Sequence, residues 1–332
     1  MTNSSSDRRS GEFEIIAKYF APLAAGSNAA RGLTDDAAFV RVGNDEELVI
    51  TVDALTESVH FMRDDPPGMI GAKALRVNLS DLAAKGATPV GYLLALCLPD
   101  WAKDQWIAEF AAGLARDQSE FGVMLIGGDT TSTPGPLTIS ITALGRLPEG
   151  TAVHRSGARP GDLVFVSGTI GDAGAGLRLL KQEPGTPGGA DEATLIARYR
   201  LPEPRLSVGK RLIGVANAAL DVSDGLIADL NHIAEVSQVH IAVDALRVPL
   251  SPALVRLYGD DMHTRAAAAT AGDDYEIAFT APANASDSVR RIAAETGVAI
   301  SEIGHVEPCT GIQFLDRDRH PVALRQTGYV HF

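Results

Sequence analysis

Apolar side chains recur along the chain at two spacings, one typical of helices and one typical of strands. Stretches with helical spacing alternate with short runs rich in Val, Ile and Leu, so the chain is predicted to have an α/β fold. Its 332 residues are enough for two domains with separate cores. Helical spacing covers residues 11–24, 72–82 and 102–121, and strand-like runs cover residues 47–53, 91–99, 137–145 and 162–168.

One predicted helix carries a carboxylate close to its end. Gly86 is a natural helix stop and Pro89 prevents the helix from resuming, so Asp81 is expected about one turn before the C-terminus. That end of the helix dipole disfavours an anion, so an unpaired carboxylate there needs a cation. Taken alone, Asp81 is as well explained by a solvated helix face, with Asn78 and Lys85 beside it.

Further carboxylates follow strands or glycine turns, and each has Gly, Ser or Thr nearby. Thr51 precedes one of them by two residues and is expected on the same face of a buried strand that ends at residue 53. Gly128 precedes another in a predicted turn whose backbone would let a phosphate approach closely. These carboxylates are Asp36, Asp53, Asp129 and Asp221.

Converging carboxylates repel one another unless cations hold them, so such a set predicts bound metal. Oxygen ligands without paired His or Cys favour a hard ion such as Mg²⁺. Because Mg²⁺ in proteins usually bridges a few carboxylates to substrate phosphates, the pattern points to nucleotide chemistry. Taken singly, each acid has an ordinary alternative, and Asp224 in particular is explained equally well as the N-cap of the following helix.

The segment 146–162 is rich in Gly, Pro and Arg and predicts a domain boundary, with residues 1–10 as a flexible tail, 11–148 as the first domain and 149–332 as the second. Arg155 in this linker is a candidate phosphate clamp or a solvated charge. A glycine-rich turn at 168–176 leads into a helix and is expected to receive an anion at the helix N-terminus, although it matches neither GxxxxGK[ST] nor GxGxxG.

A net charge of −13 argues against nucleic acid or an anionic membrane as the main partner. No run approaches the roughly 20 apolar residues of a membrane span, and the polar start lacks the apolar region of a signal peptide. Cys97 and Cys309 are far apart and are expected to be free thiols, which suits a cytoplasmic protein.

Ten motifs in order along the chain resemble thiamine-monophosphate kinase, a family in the aminoimidazole-ribonucleotide synthetase superfamily. They are GEFEIIAKYF, GLTDDAAF, ITVDALTESVHF, NLSDLAAKGATP, LIGGDTT, RSGARPGD, GTIGDAGAGL, DVSDGL, GDDYE and GYVHF. The resemblance implies transfer of the ATP γ-phosphate to thiamine monophosphate, without a covalent enzyme intermediate. It also implies two α/β domains, with the N-terminal sheets pairing across a homodimer.

The resemblance assigns roles to individual positions. Magnesium would be held by Asp36, Thr51, Val52, Asp53, Asp81, Asp129, Asp221 and Asp224. ATP would contact Gly128, Asp129, Arg155 and Ser223, and thiamine monophosphate would contact His60, Asp273 and Tyr329.

Three positions depart from the family pattern. Val52 stands in place of a hydroxyl residue, so a metal contact there would come from its backbone carbonyl; Asp273 stands in place of Glu, and Thr34 in place of Gly.

Two other functions remain open. One is another ATP-using member of the superfamily, of the hydrogenase-maturation or selenide-activating type, although the chain has no Cys near either end. The other is a non-catalytic regulator that binds metal or nucleotide.

Overall fold

The structure, a computed structural model, describes residues 10–33, 37–38, 40–182 and 188–329. The chain has a mixed α/β fold and divides into two compact units. One comprises Met1–Leu82 and Thr88–Glu149, and the other comprises Ala83–Ala87 and Gly150–Phe332. Within the described ranges, no helix is both long enough and apolar enough to cross a membrane.

The first unit contains a four-stranded sheet in the order β1-β4-β2-β3. β2 pairs antiparallel with β4 and parallel with β3, and β1 pairs antiparallel with β4. The strands are β1 (Glu46–Thr56), β2 (Thr88–Leu98), β3 (Leu125–Ser132) and β4 (Thr138–Pro148), and the helices are α1 (Glu12–Ile15), α2 (Pro67–Ala84) and α3 (Asp104–Phe121).

The predicted N-terminal helix over 11–24 is broken into three short pieces. α1 continues as a π-helix over Ile16–Phe20 and then as a 3₁₀-helix over Ala21–Ala24. Pro22 lies in the last piece, and its missing N–H prevents a regular α-helix from running through it. Phe13, one of the apolar residues at helical spacing in this range, is 82% exposed.

Helix α2 ends as predicted but is buried far more completely than expected. It stops at Ala84, and Gly86 then adopts a φ of +76°, which favours glycine. Asn78 and Ser80 on its polar side are fully buried. The solvated helix face that the sequence left open is therefore wrong for Asn78 and Ser80, and Asp81 itself is half-buried.

Strand β1 differs from its prediction in length and environment. It continues past Asp53 to Thr56 and lies at the edge of the sheet. Ile50 and Val52 are each 60% exposed. Apolar residues on both sides of a strand predict a buried strand, but here one face is uncovered within the chain.

Strand β3 replaces a predicted turn. The sequence Gly127-Gly128-Asp129 does not reverse the chain but lies inside β3, in parallel register with β2. Gly128 has a φ of +156°, and a Cβ atom there would lie 1.9 Å from the carbonyl oxygen of Leu94. Only glycine allows the two strands to approach this closely.

The second unit contains a six-stranded sheet in the order β10-β7-β9-β5-β8-β6. Successive residues of its central strands enter two different apolar clusters, so both faces are covered by helices. The strands are β5 (Asp162–Ser167), β6 (Ala218–Asp221), β7 (His240–Asp244), β8 (Ile277–Pro282), β9 (Ile300–Glu307) and β10 (Gly311–Leu315). The helices are α4 (Asp172–Gln182), α5 (Ala190–Arg200), α6 (Leu206–Leu212), α7 (Leu226–Ser237), α8 (Pro252–Tyr258), α9 (Met262–Ala269) and α10 (Ser286–Thr296).

The five residues Ala83–Ala87, which the sequence placed in the first domain, pack with the second unit. Lys85 Nζ donates to the carbonyl of Ala219 at 2.8 Å, and the amide of Val153 donates to the carbonyl of Lys85 at 3.3 Å. Within the second unit, these bonds attach Lys85 to β6 and to the linker, an attachment between distant segments that no local pattern predicts.

Candidate active site

The predicted site residues fall into two groups, one in each compact unit. The first unit contributes residues of β1, α2, β3 and the turn after β1, and the second contributes residues near β6, β8 and the C-terminus. Asp36 lies outside the described residues.

In the first unit, two hydrogen bonds connect β1 to α2. Thr51 Oγ1 donates to Asp81 Oδ2 at 2.5 Å, and the amide of Asp53 donates to Asn78 Oδ1 at 3.1 Å. Asn78 in turn donates through Nδ2 to the carbonyl of Ala74 at 3.0 Å. Thr51, Asp53 and Asp81 are therefore brought to one place, as the sequence predicted for residues 51 and 53.

Asn78 is a positioning residue that the sequence interpretation did not single out. We expect Asn78→Ala to destabilise the fold by about 1–3 kcal/mol, because it leaves the amide of Asp53 without its acceptor. Urea unfolding measures this. Asn231→Ala, which removes a surface amide bond to Glu235, is the matched control and should change stability by less than about 0.5 kcal/mol. Equal losses in both variants would contradict the role assigned to Asn78.

Asp129 and Asp53 belong to different rows of paired residues that run across the strands of the same sheet. The strand register aligns Asp129 with Ala95, Ser140 and Ala54, whereas Asp53 aligns with Ile141. Because adjacent rows point to opposite faces, Asp129 and Asp53 do not share a face. Asp129 is exposed and Oδ1 accepts from the amide of Thr130 at 2.8 Å.

Asp129 lines a cavity of about 640 Å³ together with Gly127 and Gly128. Apolar residues form much of its remaining wall, including Leu93 and Ile126. Its volume is within the range of small-molecule sites. Among the residues that the structure describes, no three His, Cys, Asp or Glu side chains are grouped to hold a metal ion, so the predicted convergence of Asp129 with the acids of β1 and α2 is not seen.

His60 lies in a tight turn after β1. Its Nδ1 accepts from the amide of Thr56 at 3.0 Å, so the proton of the neutral ring is on Nε2. Lys73 of α2, which is buried, donates through Nζ to the carbonyl of His60 at 2.9 Å. The sequence interpretation missed Lys73, since a lysine in an apolar helix stripe gives no local indication of its partner.

In the second unit, three separate segments come together around the end of β6. Asp221 is the last residue of that strand. The amide of Asp273 donates to the carbonyl of Ser223, and the amide of Tyr329 donates to the carbonyl of Asp224, each at 2.8 Å. The structure therefore brings together five of the six residues that the sequence predicted in this unit, namely Asp221, Ser223, Asp224, Asp273 and Tyr329; the sixth, Arg155, lies in the linker before β5.

Asp224 is not the N-cap of α7. The helix begins after Gly225, and the carboxylate of Asp229 accepts from the amides of Asp224 and Gly225, each at 3.0 Å. Burial is the main cause that raises the pKa of Asp229 to about 7, and the charge of Asp224 adds to the rise. The two amide hydrogen bonds and the charge of Arg155 act in the opposite direction and lower this pKa. The capping alternative is therefore wrong.

The glycine-rich turn before α4 binds an anion of the protein itself. The amides of Gly171 and Ala173 donate to the two carboxylate oxygens of Asp274, at 2.7 and 3.3 Å. Asp274 is buried, and this burial raises its pKa well above the usual value. The group that occupies this helix N-terminus is therefore an internal carboxylate, and not a bound ligand.

Residues 34–147 match the family AIR synthase related protein, N-terminal domain, and residues 159–316 match AIR synthase related protein, C-terminal domain. The chain is 42% identical over 325 residues to the thiamine-monophosphate kinase of Caulobacter vibrioides, covering 96% of this chain and 90% of that protein. The chain belongs to the thiamine-monophosphate kinase family.

Two solved structures of thiamine-monophosphate kinases have the same fold. The enzyme from Stenotrophomonas maltophilia K279a is 40% identical with a TM-score of 0.85, and the match covers 93% of this chain and 97% of that one. AaThiL complexed with AMPPCP and TMP is 34% identical with a TM-score of 0.77, covering 89% and 90%. The family and fold that the motifs implied are confirmed.

Proposed function

We infer that the protein transfers the γ-phosphoryl group of ATP to the phosphate of thiamine monophosphate, giving thiamine diphosphate and ADP. The observation that carries this inference is similarity over almost the whole length to thiamine-monophosphate kinases, 42% to that of Caulobacter vibrioides. The related AaThiL structure contains AMPPCP, an ATP analogue, together with TMP. ATP is therefore the phosphate donor and thiamine monophosphate the acceptor.

Magnesium fits the donors that both units offer. Their side chains present oxygen atoms, which Mg²⁺ prefers. Asp81 lies near the C-terminal end of α2, where the helix dipole disfavours its charge, and it accepts a hydrogen bond from the Thr51 hydroxyl. Bound Mg²⁺ would neutralise the charge of the two phosphate-bearing reactants. The proposed ligands are Asp36, Thr51, Asp53, Asp81 and Asp129 in the first unit and Asp221 and Asp224 in the second, with Val52 contributing its carbonyl. Because Asp129 lies on the other face of the sheet from Asp53, it would hold a different ion from the one at Asp53 and Asp81.

Each reactant has its own proposed contacts in the chain. Gly128, Asp129, Arg155 and Ser223 would bind ATP. On the acceptor side, His60, whose Nδ1 accepts from the amide of Thr56, would donate through Nε2 to a phosphate oxygen.

The other two acceptor contacts are Asp273 and Tyr329. The ring of Tyr329 is 50% exposed and offers an aromatic face to the cationic thiazolium. In this arrangement the residues orient two reactants for direct transfer, and no side chain needs to form a covalent intermediate.

We propose further that the protein is a cytoplasmic homodimer in which the first-unit sheets pair. The support is an apolar row on β1, formed by Leu48, Ile50 and Val52, that is exposed along an edge strand. A long exposed apolar edge strand invites association unless a partner covers it. A second copy of the same sheet offers a matching surface.

The direct test of the reaction is to incubate the purified protein with thiamine monophosphate, ATP and Mg²⁺ and to follow thiamine diphosphate by chromatography. We expect product that requires Mg²⁺ and disappears with EDTA. Formation of ADP without thiamine diphosphate would show that thiamine monophosphate is not the acceptor. A folded protein that binds ATP without any turnover would favour the alternative of a non-catalytic regulator.

A further inference from the structure

We propose that Glu276, through its ion pairs with Arg198 and Arg205, is a positioning residue that holds the turn 272–275 in the shape needed to bind thiamine monophosphate. The proposal rests on the proposed function, since Asp273 in this turn is a predicted contact of that substrate. Glu276 touches no reactant in this scheme and acts through the turn.

The turn adopts a backbone conformation that its residues do not favour. Asp273 has a φ of +71° and Tyr275 a φ of +51°, the left-handed region in which residues with a Cβ are destabilised. Their amides donate to the carbonyls of Ser223 and Val222, each at 2.8 Å. Such a conformation persists only where the surroundings fix it on both sides.

Successive side chains of the turn alternate between the site and the interior. Asp273 and Tyr275 are partly exposed, whereas Asp274 and Glu276 are buried, at 1% and 0% exposure. Asp274 is held by two amides at the start of α4, those of Gly171 and Ala173. The two buried acids therefore anchor the turn, one at its centre and one where it enters β8.

Glu276 has three side-chain donors. Arg205 contacts both of its oxygens, Nε to Oε2 at 2.7 Å and Nη2 to Oε1 at 2.5 Å. Arg198 Nη2 donates to Oε1 at 2.8 Å, and Ser167 Oγ donates to Oε2 at 2.6 Å. Arg198 also reaches the carbonyl of Asp274 at 3.4 Å, so it contacts the backbone of the turn directly.

This ion cluster is not explained by stability alone. Burying charges costs about as much as their attraction returns, and apolar replacements of buried ion pairs are often equally stable. What the cluster provides is directional restraint, because the planar guanidinium of Arg205 fixes both oxygens of Glu276 and hence the backbone beside Tyr275. Loosening it should therefore disturb Asp273 more than the rest of the site.

The first test is Arg205→Lys, which keeps the charge and loses the two-point contact. We expect the KM for thiamine monophosphate to rise about tenfold, while kcat and the KM for ATP change less than about threefold. The matched control is Arg256→Lys, which alters a similar two-point pair with Asp191 on the surface of the same unit and should leave all three constants unchanged. An unchanged KM for thiamine monophosphate in an active Arg205→Lys protein overturns the proposal.

The second test restores the turn by a different route. Asn tolerates the left-handed region better than Tyr. The double variant Arg205→Lys with Tyr275→Asn should therefore recover most of the affinity for thiamine monophosphate that Arg205→Lys loses. The single variant Tyr275→Asn is the reference for this comparison. No recovery would mean that the cluster does not act by fixing this conformation.

Hydrogen exchange tests the restraint without relying on turnover. Arg205→Lys should speed exchange in a peptide covering 272–276, whose amides at Asp273 and Tyr275 are bonded to Ser223 and Val222, and leave other peptides unchanged. Uniformly faster exchange would show a general structural role and overturn the proposal. Arg198→Lys, which loses a single contact to Glu276, gives the same readout should Arg205→Lys not fold. Inactive wild-type protein would count against the proposed function alone, because the exchange result stands independently.

Discussion

Replacing Asp81 with Asn is expected to lower kcat/KM for phosphoryl transfer by about a thousandfold or more in a protein that remains folded. Asn keeps an oxygen that accepts from Thr51 Oγ1, so the contact between β1 and α2 survives. What is lost is the negative charge, which the proposed Mg²⁺ needs at this position. The substitution also removes an anion from the C-terminal end of α2, so the fold should not be weakened.

Steady-state kinetics with both substrates and a thermal melt measure the two expectations together. Asp64→Asn is the matched control, because it makes the same change at an exposed position that has no proposed role in the site. The variant Asp81→Asn should also require a higher Mg²⁺ concentration for any residual activity. A folded Asp81→Asn protein with near-native turnover would remove Asp81 from the set of metal ligands.

Local signals predicted the position of Asp81 correctly. Gly86 and Pro89 end α2 through their own backbone preferences, which act in any context. The same holds for Asp221, where a short apolar run predicts a strand and its end. These features depend on residues close in sequence, and for that reason pattern and propensity were sufficient.

Features that depend on distant partners were not predictable. Whether β1 is a central or an edge strand depends on how many strands pair with it. The apolar residues Ile50 and Val52 are compatible with both positions, so the sequence does not distinguish them. A glycine such as Gly128 is compatible both with a turn and with two strands that lie very close together. The second case applies here, because the carbonyl of Leu94 occupies the space that a Cβ atom would need.

The chemical roles of adjacent acids show the same limit. GDDYE contains three acids, and the sequence assigned a role to Asp273 only. Asp274 and Glu276 are anchored by α4 and by two arginines far away in the chain. Likewise Asp224 is freed from capping because Asp229, one turn later, binds the amides instead. Side-chain partners of this kind become known only once the fold is known.

Placing two aspartates on the exposed row of β1, as Ile50→Asp with Val52→Asp, is expected to convert the proposed dimer into a monomer. Both side chains are 60% exposed within the chain and would be buried in the proposed pairing of sheets. Burying two carboxylates in place of two apolar side chains should weaken association by about a thousandfold or more. Light scattering coupled to size-exclusion chromatography measures the mass directly.

Val236→Asp is the matched control, since Val236 is 55% exposed on α7 in the second unit and lies outside the proposed interface. It should leave the mass of the dimer unchanged. If both proteins have the same mass as the wild type, the sheets do not pair through this row. Because β1 also carries Thr51 and Asp53, two proposed ligands, dissociation should reduce turnover as well, since the exposed face of their strand would lose its cover. On β1, the row proposed for association and these two residues would then lie on opposite faces.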